Sequence, residues 1–150
     1  MKYIDVRAID EADYPHVCLL EQGQSGSQYQ AAVFVRQAMT LWPGLFLVAE
    51  VEDQSAGYLV GSISGDDLET GWILRVRVVE AMQRMGVATR MLIRIEESMK
   101  GYGINRILLS CSPVNEGALA LYHKQRYTIR SREPAYFGPG EDRFILEKVI

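Results

Sequence analysis

The stretch Val78-Val79-Glu80-Ala81-Met82-Gln83-Arg84-Met85-Gly86-Val87-Ala88-Thr89 constrains this chain more than any other. A β-branched apolar segment runs into a short turn with one glycine. The turn opens a run in which Val87, Met91, Leu92, Ile95 and Met99 recur at helical spacing. A strand must therefore give way to a helix within a few residues. The first amides of a helix lack intrahelical partners and carry the positive end of the macrodipole. Successive N–H groups from about Met85 to Thr89 are expected to converge on a pyrophosphate, with Gly86 and Ala88 admitting a close approach. A dinucleotide-binding Rossmann turn needs three glycines near the chain start and an acid about 20 residues later. Gly86 is the only glycine of this turn and lies past the middle of the chain, which disfavours that fold.

The rest of the chain punctuates cleanly. Tyr3 to Ile9 reads as a strand, and Asp10 with Asp13 as the cap of a helix reaching about Gln22. Gly23-Gln24-Ser25-Gly26-Ser27 reads as a flexible break before a second helix from Tyr29 to Thr40, stopped by Trp42-Pro43-Gly44. Leu45 to Val51 and Tyr58 to Ser64 read as strands joined by a hairpin-like turn over residues 52–57. After an acidic loop, Trp72 to Val79 is a strand with alternating Arg75 and Arg77, hence one apolar and one wetter face. A helix from Gly86 to about Lys100, a buried strand from Ile104 to Cys111, a helix after Pro113 and Asn115, and strands over residues 126–132 and 143–149 complete the order. A meander of strands followed by strand-helix-strand-helix-strand predicts a mixed α/β (α+β) fold, with helices on both faces of a central, mostly antiparallel sheet.

Two motifs carry a family resemblance. Gln83 to Ala88 fits the pattern Gln/Arg-x-x-Gly-x-Gly/Ala. Twenty-nine residues after Gly86 begins Asn115-Glu116-Gly117-Ala118-Leu119-Ala120-Leu121-Tyr122, which fits Asn-x-x-Ala-x-x-Leu-Tyr. Together with the element order, they make essentially the whole chain resemble the GNAT N-acetyltransferase superfamily. Its closest likeness is to the branch that acetylates protein and ribosomal-protein N-termini. The resemblance implies acetyl-CoA as co-substrate and a sheet splayed in the middle. It implies a cofactor site built from Val76, Arg77, Val78, Gln83, Arg84, Met85, Gly86, Val87, Ala88, Thr89, Asn115 and Tyr122. It also implies that Tyr122 protonates the departing thiolate while Asn115 bonds the pantetheine arm or orders the sheet opening. Two positions depart from the pattern: Glu80 stands where proline is common, and Arg126-Tyr127 where Gly-Phe often follows the tyrosine helix. Arg126 implies a different helix exit.

Composition narrows the partners. The 150 residues fit one domain, and 48% hydrophobic residues suffice for a core burying roughly 70% of the unfolded surface. Sixteen Lys and Arg against 19 Asp and Glu, with no basic tract, exclude a nucleic-acid footprint. Residues 1–5 lack a signal-peptide core, and no apolar stretch approaches the ~20 residues that cross a bilayer, so a cytoplasmic protein with no membrane partner is expected. Cys18 and Cys111 read as buried fillers, and His16 and His123 have no ligand partner at helical spacing, so no metal is assigned. Either a monomer or a homodimer is compatible with this composition.

Acetyl transfer from a thioester needs a neutral amine, a polarised carbonyl and a stabilised thiolate. Strands parting after Val78 are expected to leave N–H groups near Val76 to Val78 for the pantetheine and the acetyl oxygen. A phenol near pKa 10 is a suitable acid toward a thiolate near 8.5. Cys111 reads as an inert thiol, which favours direct transfer in a ternary complex. In the resembled branch a glutamate often stands five residues before the asparagine; Ser110 occupies that place here, and Glu69, beside Asp66 and Asp67, is the candidate base. Tyr136 and Phe137 on a Gly-Pro turn are candidates either to wall an acceptor groove or to anchor their loop, with Glu21 and residues 23–27 as the opposite wall. Three functions stay open at this point: an enzyme acetylating a peptide or protein N-terminus, one acetylating a small amine such as a polyamine, amino acid or antibiotic, and a non-catalytic acyl-CoA-binding module.

Overall fold

A computed structural model describes residues 2–150; Met1, part of the stretch read for a leader, lies outside the described residues. Among these residues seven strands form one sheet in the order β1-β2-β3-β4-β5-β7-β6: β1 (Ile4–Ala8), β2 (Phe46–Val51), β3 (Gln54–Ile63), β4 (Thr70–Val78), β5 (Arg106–Cys111), β6 (Thr128–Glu133) and β7 (Arg143–Val149). Among the described residues four α-helices accompany them: α1 (Tyr14–Ser25), α2 (Gln28–Leu41), α3 (Val87–Gly101) and α4 (Glu116–Lys124). β4 and β5 run parallel, as a strand-helix-strand crossover requires; β1–β2, β2–β3, β5–β7 and β6–β7 are antiparallel. Among the described residues, no helix is long and apolar enough to cross a membrane.

The chain gathers into two compact units, one taking in residues up to Gly61 and Arg75–Ser98, the other Ser62–Leu74 and Met99–Ile150. In the first, α1 and α2 cover one face of β2 and β3, where Ile9, Val17, Val35, Ala38, Phe46, Val48, Tyr58 and Val60 form a core. The alternate residues Leu47, Ala49, Val51 and Leu59 point to the other face and are buried too. The start of α1 is fixed by Arg7, whose guanidinium donates to Asp13 at 2.8 and 2.9 Å and to Glu50 at 2.9 and 3.1 Å. The Arg7 hydrogen bond holds the Asp13 carboxyl below its usual range. In the second unit β5 is buried as its apolar run implied, with Ile107 and Leu109 almost fully enclosed.

Element ends differ from the sequence reading by a few residues in several places, and three of the differences have a clear physical cause. The β2–β3 turn is only Glu52-Asp53, both left-handed at φ 49° and 66°, and Val51 pairs with Gln54. This two-residue geometry matches the twist of the strands, so residues 54–57 belong to β3 and not to a loop. Helix α1 continues through Gly23 to Ser25 and ends on Gly26 at φ 84°, which leaves no flexible break at residues 23–25. Tyr127 N–H bonds the Tyr122 carbonyl at 2.9 Å and Arg126 N–H bonds that of His123 at 2.9 Å. Arg126 thus adopts φ 72° and closes α4 in the Schellman manner usual for glycine, not through a different exit.

Candidate functional site

β4 ends at Val78, and one 3-10 turn at Glu80–Met82 separates it from the approach to α3. The Gln83 side-chain amide donates to the Val78 carbonyl at 3.2 Å and ties this turn to the strand end, so Gln83 shapes the loop through that bond. Arg84 at φ 66° and Gly86 at φ 88° both sit in the left-handed region. The first intrahelical bond of α3 runs from Arg90 N–H to the Gly86 carbonyl at 3.0 Å, which leaves the amides of Val87, Ala88 and Thr89 without helical acceptors. The Val87 side chain is buried, so only its N–H is offered. No atom lies within 4 Å of the place a Cβ on Gly86 would take, so the turn opens outward at that residue.

The β4–β5 ladder among the described residues runs from Thr70/Arg106 to Ile73/Leu109, although β4 itself continues to Val78. The pairing therefore stops five residues earlier than the expected point after Val78. On the other side of β4, Val79 N–H reaches the Ala56 carbonyl at 2.8 Å, and Gly57 lies so near the Arg77 carbonyl that a Cβ there would stand 2.2 Å from its oxygen. The end of β4 is thus clamped to β3 by backbone alone.

Asn115 caps α4: its side-chain oxygen accepts from Ala118 N–H at 3.1 Å. Seven residues on, Tyr122 is only 8% exposed, its ring edge-on to Tyr127 at 5.8 Å. Among the described residues no protein acceptor takes the Tyr122 hydroxyl. Burial, with a smaller contribution from the nearby Cys111, pushes its pKa well above the ordinary phenol value. The Cys111 thiol is buried and likewise pushed up by desolvation, the environment of an unreactive thiol.

Glu69 lies at the other end of the same unit. Its Oε2 accepts from the Asn105 side chain at 2.9 Å, and Thr70 beside it pairs with Arg106 at the start of β5. Cys111, which Tyr122 neighbours, is the last residue of that strand, about 16 Å further at ~3.3 Å per residue. The structure does not bring Glu69 and Tyr122 together. The acidic loop is internally engaged: Asp66 takes the Ser64 hydroxyl at 2.7 Å, and Asp67 takes the Thr70 hydroxyl at 2.7 Å and the Glu69 N–H at 3.1 Å.

Glu21 is not an open groove wall. It is fully buried, and its carboxylate receives Tyr58 at 2.6 Å, Ser25 at 2.5 Å and Arg75 through two nitrogens at 2.9 and 2.8 Å. Sequence reasoning missed this network, though a glutamate four residues after the buried Val17 lies on the same helix face and signals it. Tyr136 and Phe137 are exposed and stack edge-on at 4.8 Å, with Arg143 over Phe137 at 4.9 Å. They do not anchor their loop in the core. That loop is held by Asp142, which accepts from Ala135 N–H at 2.8 Å and from Arg132 at 3.1 Å.

An open glycine turn feeding a helix of free amides, followed by a capped helix presenting a buried tyrosine, is matched by the sequence pattern of the acetyltransferase (GNAT) family over residues 4–127. The chain belongs to that family. As a GNAT acetyltransferase it is an acyl-transferring enzyme, and its seven-stranded sheet with four helices is the fold of solved family members. An N-acetyltransferase of Methanocaldococcus jannaschii is 28% identical over 110 residues, 73% of this chain and 69% of the relative. The N-alpha-acetyltransferase MAK3 of Arabidopsis thaliana is 29% identical over 114 residues, 75% of this chain but only 60% of the relative's length. Arabidopsis thaliana Naa50, solved with the bisubstrate analogue CoA-Ac-MVNAL, superposes with a TM-score of 0.83 at 14% identity, covering 98% of this chain and 99% of that one.

Proposed function

We propose that this acetyltransferase moves an acetyl group from acetyl-CoA directly to the α-amine of a peptide or protein, within one single-domain ternary complex. The observation that carries the reading is the start of α3. The amides of Val87, Ala88 and Thr89 are without helical acceptors, behind a Gly86 whose Cβ position is empty. These residues fit a pyrophosphate, because oriented N–H groups and a positive helix end meet a dianion without an intervening side chain. Arg84 and Met85 flank the turn as exposed contacts, and Gln83 and Asn115 act through shape, one fixing the Val78 carbonyl and the other the start of α4.

When bound, acetyl-CoA supplies an activated acyl group on a thiol leaving group. The N–H groups of Val76 and Val78, which leave β4 on the side away from β3 beyond the last β4–β5 pair, hold the pantetheine and the developing charge on the acetyl oxygen, whereas Arg77 turns its backbone toward β3. Tyr122 carries the proton that the leaving sulfur needs; its raised pKa keeps it fully protonated at neutral pH. The peptide acceptor is supported by the N-alpha-acetyltransferase relative and by the exposed Tyr136-Phe137 pair, an aromatic wall suited to a chain end.

Gly86→Glu tests the cradle. A side chain and a negative charge would both enter the phosphate space, so calorimetric titration should show CoA affinity lost while the melting curve shows the variant folded. Unchanged affinity would remove the proposed placement.

A further inference from the structure

Arg75 and Arg77 are two residues apart on β4, so their side chains leave the same face. That face is met by α1. Arg75 forks onto Glu21, and the Arg77 guanidinium lies beside Gly23, where a Cβ would stand 3.2 Å from Nη2. Glu21 has nothing left to give. Two hydroxyls and two arginine nitrogens fill the four acceptor positions of one carboxylate. Arg77 makes no ion pair or hydrogen bond among the described residues, and its Nε is buried without a partner. Arg75 has its Nη1 unused, and its side chain is 31% exposed.

The local charge is therefore two guanidiniums against one carboxylate, an excess of one positive charge. A buried donor of a charged group without an acceptor is costly, on the order of 1–3 kcal/mol or more, and a guanidinium presents a planar fork that fits a carboxylate. An excess of one charge is neutralised by one carboxylate and overcompensated by a phosphate dianion. The cation also belongs to the strand segment whose backbone is assigned to the acetyl group, while the pyrophosphate has its own amides beyond the Gln83–Gly86 turn.

We propose that Arg77, assisted by the outer nitrogen of Arg75, binds a carboxylate of the acceptor. The amine acetylated then belongs to a molecule bearing an acid close to that amine, either a free amino acid or a peptide with an acidic side chain next to its N-terminus. This rests on the acetyl-transfer reading of the same strand. It opposes a cationic acceptor: the carboxylates of the acidic loop at Asp66 and Asp67, which would have to pair with a cation, are engaged within that loop.

The test is steady-state acetylation by the full chain of four amines: Ala-Ala-amide, Ala-Lys-amide, Ala-Glu-amide and free alanine. Either Ala-Glu-amide or alanine should exceed Ala-Ala-amide in kcat/KM by at least about tenfold, and the better of the two identifies the source of the carboxylate. Arg77→Gln should shrink that ratio at least about tenfold, chiefly through acceptor KM, and Arg77→Lys should restore part of it. Preference for the neutral or lysine amine, a ratio that survives Arg77→Gln, or no turnover of both acid-bearing amines overturns the proposal. So does a loss of acetyl-CoA affinity in Arg77→Gln matching the rise in acceptor KM, which would assign the anion to the cofactor. Calorimetry of acetyl-CoA on the unsubstituted chain separates these results from failure of the acetyl-transfer reading, in which the thioester itself would not bind.

Discussion

Tyr122 owes its position to its neighbours in the helix end. Its carbonyl accepts the Tyr127 amide, its ring meets the Tyr127 ring, and Arg126 between them takes the left-handed turn that makes both contacts possible. A non-glycine residue there costs about 1–2 kcal/mol. Arg126→Gly should therefore raise stability by about 0.5–1 kcal/mol once the extra freedom of unfolded glycine is subtracted. Chemical denaturation showing a lower midpoint in that variant would contradict the cap geometry. Tyr122→Phe should lower kcat about 10²-fold to 10⁴-fold with little change in CoA affinity, the usual range for loss of a proton donor. The pH dependence has a definite sign. The native pKa lies above the unfolded value near 10, so native and unfolded states hold this proton alike below pH 10. Stability due to this group then declines as pH rises further. In ultraviolet titration, Tyr122→Phe should leave the phenolate absorbance gained up to pH 10 unchanged, and a missing increment there would show that Tyr122 ionises normally.

At the scale of elements, the end of β4 depends on a close approach of backbones. Gly57→Ala would drive a Cβ into the Arg77 carbonyl at 2.2 Å, and neither partner is a flexible side chain. The expected loss is about 1–3 kcal/mol, together with weaker CoA binding as the Arg77–Val78 backbone shifts. Gly65→Ala, where nothing lies within 4 Å, should be neutral in both measurements. If both variants melt and bind alike, β4 is not held in this way. The same elements show what could be read in advance. Helices and strands with strong periodicity fell within a few residues of their places, β7 at Arg143–Val149 among them. The open turn at Gly86 was likewise visible as a glycine between an apolar strand and an amphipathic helix. What escaped were features set by partners distant in sequence. Glu21 is buried because Arg75, 54 positions away, neutralises it, and the β4–β5 ladder ends at Ile73 without any sign in the residues that follow. Glu69 looked free in a charged loop because nothing local announces Asn105 as its partner.

The two compact units of the whole molecule are not consecutive halves of the chain. The division falls at three points, inside β3 between Gly61 and Ser62, inside β4 between Leu74 and Arg75, and inside α3 between Ser98 and Met99. Strands and helices are continuous hydrogen-bonded elements, and unfolding one unit alone would break all three of them in mid-course. Exposed linkers, where independent domains usually part, are absent at all three of these points among the described residues. This argues for one cooperative transition, as chains of up to about 150 residues usually show. Scanning calorimetry should therefore give a single peak with calorimetric and van't Hoff enthalpies equal, at roughly 100 kcal/mol near 60 °C from about 0.7 kcal/mol per residue over 150 residues. Saturating CoA should move that peak upward as a whole, by about 2.7 kcal/mol of added stability at 100 times the dissociation constant. Two resolved peaks, with only the one containing the start of α3 responding to CoA, would mean that the units fold separately and that neither β4 nor α3 transmits order across its length.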